Sequence, residues 1–415
     1  MKVVNDSIIE FFPLYIEKYN GLDDEYIIGR KDIGEYINVP VVAVEAINLL
    51  KEGMSVATTE NTLYTKYHGE IGVHDFVETC IELKFIEKVD GIDVAHKDAG
   101  NKVKNQFNFI SEEVSRTLFN PICWVIYSAL FLYSISILYL YPKTIPSVKD
   151  FLFHDSLTIV VLGGLLSMWA LIFVHELGHL IAARANGIES KVKFGRSGMY
   201  LVIETVIPNI WALSKNKRNE IFLAGLAFNS VMLSLSLTVI MLHDLNIFIM
   251  TESLYRFIKF VIIINVWSFI TQPLIFTKSD LYYVVNNQWN CTNLHGNTAL
   301  SVKQKLGFKL NTEENQNLDS LSSFEKLGVK KYTPIYIIGL LFSTGIAIVY
   351  LGFTYWYFNR SLDVFLEFKY TSLLFWDHLF GVGYLVTPII WLFIYLIYDL
   401  IKENKIGLDS RSDGL

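Results

Sequence analysis

The stretch "ALIFVHELGHLIAARANG" (170–187) sets two histidines, a glutamate and an arginine into one of the most apolar parts of the chain. In a helix, residues four apart share a face, so His175 and His179 direct their imidazoles at one point about a turn wide. That is the spacing of two zinc ligands. Glu176, beside the first histidine, stands where a carboxylate takes a proton from a zinc-bound water instead of binding the ion. Zinc lowers the pKa of its water to about 7, which makes a nucleophile available to a scissile carbonyl. Chance gives such a pattern in on the order of one chain per hundred of this length. Ionisable groups inside an apolar span cost at least about 2 kcal/mol each and persist where they share a partner or a wet cavity. A shared metal is such a partner. Arg184, at the end of the stretch, is expected to snorkel to the membrane interface.

A catalytic zinc usually has three protein ligands and one open position, so a third ligand must come from elsewhere. The acidic residues at the same depth are Glu204, Glu220 and Asp280. Asp280 is the strongest, because "SFITQPLIFTKSDLYYVVNN" (268–287) sets it just past the end of an apolar run, where Pro273 is free to kink the helix toward the histidines. Spacing alone does not exclude Glu204. Asn265 and Gln272, in the same run, are read as structural. Cys80, Cys123 and Cys291 lie far apart without metal-type spacing and read as buried or reduced thiols.

The elements that must position these residues are membrane helices. The 415-residue chain is 52% hydrophobic and 18% charged, too apolar for a soluble protein of this size. Its net charge of -6 and dispersed basic residues leave no footprint for nucleic acid. Apolar runs at 121–141, 157–184, 220–242, 257–277, 335–357 and 374–400 are long enough to span a bilayer. The expected fold is mainly α: a polytopic membrane helix bundle of about six spans with a small N-terminal winged-helix-like α+β domain. Lys and Arg concentrate in the loops that share a side with the N-terminus, which predicts both termini in the cytoplasm. The N-terminus lacks the apolar core of a secretory signal.

The chain reads as four parts: a domain at 1–100, a polar linker at 101–120, the membrane domain at 121–400 and a tail at 401–415. Within the first, "EYIIGR" (25–30) and "GEYINV" (34–39) read as a hairpin. Amphipathic helices near 41–51, 56–67 and 73–84 and the strand "FIEKVDG" come next. The acidic and neutral helix faces disfavour nucleic acid, whereas the hairpin edge suits a peptide added as a strand. The run "KVKFGRSGMYLVIETV" (191–206) reads as a hairpin or re-entrant segment whose edge can hold a peptide extended. Residues 286–332 read as the largest polar loop, cytoplasmic in this topology.

At "HELGHLIAAR" (175–184), "LAGLAFNSVML" (223–233) and "TKSDLYYVVNN" (277–287) the chain resembles the site-2 protease family of intramembrane zinc metallopeptidases. The resemblance implies zinc binding by His175 and His179, catalysis by Glu176 and a third ligand in Asp280. It also implies one zinc per chain. Gly225 and Asn229 match a GPxxN motif near the substrate, with Leu226 where the proline usually stands. Leu281 likewise replaces the glycine that commonly comes after the aspartate. The narrower resemblance is to peptide zinc metalloproteases of the YydH-like branch, with an N-terminal domain similar to the PqqD-like peptide-recognition fold. It implies a multi-pass protein of the bacterial cytoplasmic membrane that cleaves a peptide or small membrane-associated precursor in maturation, secretion or signalling. Two other readings stay open: a protease that releases a membrane-tethered transcription factor, and a non-catalytic peptide-binding or export component. Residues 335–415 carry no motif.

Overall fold

The computed structural model describes residues 3–18, 25–69, 71–94, 107, 109–197, 200–367 and 370–412. In the N-terminal region, β-branched and aromatic alternation builds β1 (Ile9–Phe11), β2 (Tyr15–Lys18), β3 (Glu25–Arg30) and β4 (Glu35–Pro40). The expected hairpin is β3–β4, in register Ile28 to Ile37 and Arg30 to Glu35. Gly34 closes its turn at φ +76°, a conformation glycine adopts without strain. β2 pairs with the other side of β3, so the sheet order is β2-β3-β4 and β3 is interior. Strands of three and four residues are too short to display the period-two pattern that reveals a strand.

Helices α1 (Val41–Lys51), α2 (Val56–Tyr67) and α3 (Val73–Glu82) come next, then β5 (Ile86–Val89) and β6 (Ile92–Asp93), which pair with β1 in the order β1-β5-β6. Ile28, Ile47, Leu50, Leu63, Val77 and Phe85 are buried in one core. A short helix α4 (Glu112–Leu118) lies in the stretch expected as a linker, of which 101–106 and 108 fall outside the described residues.

The chain divides into two units, the first being Met1–Phe119 with Leu180–Lys191 and Thr205–Ile221. Inside it, Tyr15 Oη donates to the Ala212 carbonyl (2.9 Å) and Tyr36 Oη to Asn209 Oδ1 (2.9 Å). Burial, then the nearby Asp32 charge, pushes the Tyr36 phenol up to about 12, which keeps it a donor. Arg184 is buried, and its guanidinium donates to the carbonyls of Phe107 (2.8 Å) and Ile110 (2.7 Å). Two charge-assisted hydrogen bonds offset its loss of water.

The second unit comprises Asn120–His179, Val192–Glu204 and Phe222–Leu415. The elements from residue 121 onward are α5 (Pro121–Leu140), α6 (Leu157–Ala185), β7 (Lys191–Ser197), β8 (Tyr200–Val206), α7 (Lys215–Asp244) and α8 (Glu252–Thr271). They continue as α9 (Asp280–Gln288), α10 (Leu294–Lys305), α11 (Thr312–Asp319), α12 (Ser323–Leu366) and α13 (Leu373–Ser412). The protein is mainly helical. Among the described residues six helices are long and apolar enough to cross a membrane: α5, α6, α7, α8, α12 and the Leu373–Tyr395 part of α13. Only 6% of the most apolar window of α12 is buried inside the protein. Apolar side chains turned outward on that scale fit a lipid solvent, and the arrangement is compatible with a multi-pass membrane protein.

β7 and β8 form the two-stranded sheet read from "KVKFGRSGMYLVIETV". The polar stretch 286–332 is not an open loop, because α10, α11 and the first turns of α12 lie within it. Their Asn and Ser N-caps, Asn293, Asn311 and Ser322, accept backbone N–H groups and start each helix. Asp377 of α13 caps α6 from a distance: its Oδ1 accepts from Ser156 Oγ (2.8 Å), Thr158 Oγ1 (2.6 Å) and Thr158 N (3.3 Å).

Candidate metal centre

The histidines stand on α6 within the second unit, one turn apart, with their rings edge to face and centroids 4.8 Å apart. Asp280 reaches them because α8 stops at Thr271. Pro273 ends that helix instead of kinking it: Gln272 is still helical (φ -60°, ψ -43°), and Pro273 offers no N–H to carry the ladder further. A 3-10 turn at Ile275–Thr277 and a left-handed Lys278 (φ 57°) then reverse the chain. Asp280 is therefore the first residue of α9, where the helix dipole favours a carboxylate.

Three side chains converge, Asp280 through both of its carboxylate oxygens. His175 Nε2 lies 3.1 Å from His179 Nε2 and 3.1 Å from Asp280 Oδ2, and His179 Nε2 lies 3.4 Å from Asp280 Oδ1. Ligands about 2.0–2.1 Å from a tetrahedral zinc stand roughly 3.3 Å from one another, so the triangle has the size such an ion requires. Asp280 Oδ2 is buried with no hydrogen-bond donor aligned to it among the described residues, as expected of an atom whose lone pair serves another partner. Burial pushes the Asp280 carboxyl up, but the adjacent His179 and His175 imidazoles outweigh it and hold the group well below the usual carboxylate range. The donor set thus fits one ion with a vertex left for water.

Glu176 lines a cavity of about 330 Å³ together with His175, Asp280, Asn229 and Ser268. One donor atom each from His175, Glu176 and His179 lies within 4.8 Å of the others. Asn229 is buried in the wall and donates from Nδ2 to Ser268 Oγ (2.9 Å). Gly225 is not among the cavity-lining residues. A Cβ there would stand 2.4 Å from His175 Cε1 and Nε2, and one at Gly178 would stand 2.6 Å from the Ala224 carbonyl oxygen. The crossing of α6 and α7 is closed by these two glycines, as small residues do between membrane helices. His175 Nδ1 is buried with no hydrogen-bond partner among the described residues, and the ring packs against Gly225.

Glu204 is half-exposed and paired with Lys193 (2.9 Å), and Glu220 is paired with Lys217 (2.8 Å). Asn265 and Gln272, read from sequence as structural, line the cavity with Ser268 and Ser279. The signal was their spacing: positions 265, 268 and 272 fit i, i+3, i+7 and put three polar groups on one face of an apolar helix. The turn carrying Asp280 is held from behind, where Tyr332 Oη donates to the Ile275 carbonyl (3.0 Å) and His295 N donates to Tyr282 Oη (3.0 Å).

No protein-family model matches the chain, and no curated protein or solved structure matches it.

Proposed function

We propose that the protein is an intramembrane zinc metalloendopeptidase of the site-2 protease type, cleaving a peptide or small membrane-associated precursor. The observation that carries this reading is the convergence of His175, His179 and Asp280 within 3.4 Å, with Glu176 in the same cavity wall. In it His175, His179 and Asp280 hold the metal. Bound zinc supplies Lewis acidity and a water acidified to a pKa of about 7. Glu176 takes the proton of the attacking water and returns it to the leaving amine. Asn229, fixed by Ser268, orients the peptide. The β7–β8 edge holds an unwound substrate extended, since a helical substrate has its amides bonded internally.

In the same reading residues 1–100 form a winged-helix-like, PqqD-like domain that captures the precursor by strand addition, 101–120 link it to the membrane domain, and both termini are cytoplasmic. The test is metal content. Protein purified in detergent is expected to carry about one zinc per chain. Purified protein that neither holds nor takes up zinc sinks the proposal and favours a non-catalytic peptide-binding component.

Gly225→Ala probes the same centre from the packing side. The added methyl would press on the His175 ring. Overpacking of this kind costs about 1–3 kcal/mol, so zinc affinity measured by competition with a chromophoric chelator is expected to fall about 5- to 150-fold. Unchanged affinity would show that the ring is not held by that contact.

A further inference from the structure

A second cavity, of about 490 Å³, borders the candidate centre in the same unit. Its walls are aromatic and aliphatic, with Trp124, Tyr127 and Phe131 from α5, Leu226 from α7, Phe269 from α8 and Leu281 from α9. Its two serines are spent on their own helices: Ser128 Oγ donates to the Trp124 carbonyl (2.9 Å) and Ser230 Oγ to that of Leu226 (2.9 Å). The lining therefore suits an apolar group and rejects a charged one.

Gln272 lines both cavities. It is anchored at the boundary by two bonds, its Oε1 accepting from Leu281 N (3.4 Å) and its carbonyl from Ser279 Oγ (2.8 Å). Helix geometry explains the adjacency. Gly225 lies against His175 and Asn229 faces the polar cavity, while a step of about 100° turns Leu226 to the apolar one. Leu281 stands in the same relation to Asp280.

We propose that the apolar cavity is the specificity subsite for a large apolar side chain next to the scissile bond, with Gln272 as the partition between subsite and reacting centre. The inference rests on the peptidase reading. Its occupant is set by continuity with that centre: a peptide whose scissile bond lies beside Glu176 and Asp280 has an adjacent residue to place, and the space past Gln272 is apolar.

The experiment uses short peptide hydroxamates, which chelate zinc, with Gly, Ala, Leu or Phe next to the chelating group in two series, one for each side. Affinities for the full-length zinc protein in detergent are compared as ratios within each protein. In the wild type, Leu or Phe is expected to bind about 10- to 100-fold more tightly than Gly in one series. Leu226→Trp, which fills the cavity, should collapse that ratio to within about threefold. Phe131→Ala, which enlarges it, should move the preference toward a naphthyl side chain, and it keeps the test available if the larger residue prevents folding. Equal affinities across both series overturn the inference and leave the cavity to lipid. A preference unchanged in these variants overturns it too. Protein that holds no zinc and binds no hydroxamate refutes the peptidase reading itself, and the inference falls with it.

Discussion

Glu176→Gln is expected to lower peptide cleavage by about 10²- to 10⁴-fold while zinc content stays near one per chain, the signature of a lost general base. Glutamine preserves the shape of the side chain but, with an amide NH2 in place of one carboxylate oxygen, does not take a proton at neutral pH. Its position separates this effect from metal loss. His175, His179 and Asp280 approach one another at 3.1–3.4 Å without Glu176, so in the proposed centre all three ligands are expected to stay when the carboxylate is gone. The assay pairs elemental analysis of purified protein with cleavage of a fluorogenic peptide that the wild type turns over in proteoliposomes. Retained cleavage would remove Glu176 from the mechanism. Loss of zinc together with activity would make it a ligand instead.

Short-range periodicity made part of this molecule legible in its sequence. The spacing of His175 and His179 fixes a shared face as soon as the segment is helical, and the six apolar runs are each long enough to cross a membrane as a helix. Features made by contacts across the chain were not legible. Arg184 carries the signature of a snorkelling residue, and nothing near it in sequence announces the two loop carbonyls, from 107 and 110, that it bonds. Asn265 and Gln272 do make the structural bonds expected of them, Asn265 to the Val261 carbonyl and Gln272 with Leu281 N, and what single positions did not announce is the face they share with Ser268 along the cavity. Gly225 matches a motif, but its use emerges only where α7 passes against His175 and leaves no room for a Cβ. The stretch 286–332 is polar enough to pass for a loop, and polarity does not oppose helices that start on good caps.

Between Asp280 and Glu204 spacing gives two answers, and resolving them leads to the second large effect. Asp280→Ala is expected to weaken zinc binding by more than about 100-fold, since it removes a ligand and even outer partners of metal ligands are worth about 10- to 100-fold. Glu204→Ala should leave zinc content unchanged. Its carboxylate is half-exposed beside Lys193, and exposed pairs of that kind contribute about 0–1 kcal/mol. The physical distinction lies in the backbone that carries each residue. Glu204 sits within a strand, so its direction is fixed by the pleat. Asp280 comes after a proline stop, a 3-10 turn and a left-handed residue, which together bring a carboxylate from about a hundred residues away to within 3.4 Å of both imidazoles. Asp280→Asn refines the test, because it keeps an oxygen in place and removes the charge. If zinc binds as tightly in Asp280→Asn as in the wild type, geometry alone assembles the site; if affinity falls as far as in the alanine variant, the negative charge at the α9 N-terminus is what holds the ion. Zinc retained in Asp280→Ala and lost in Glu204→Ala would transfer the third ligand to the hairpin and sink the triangle as the metal centre.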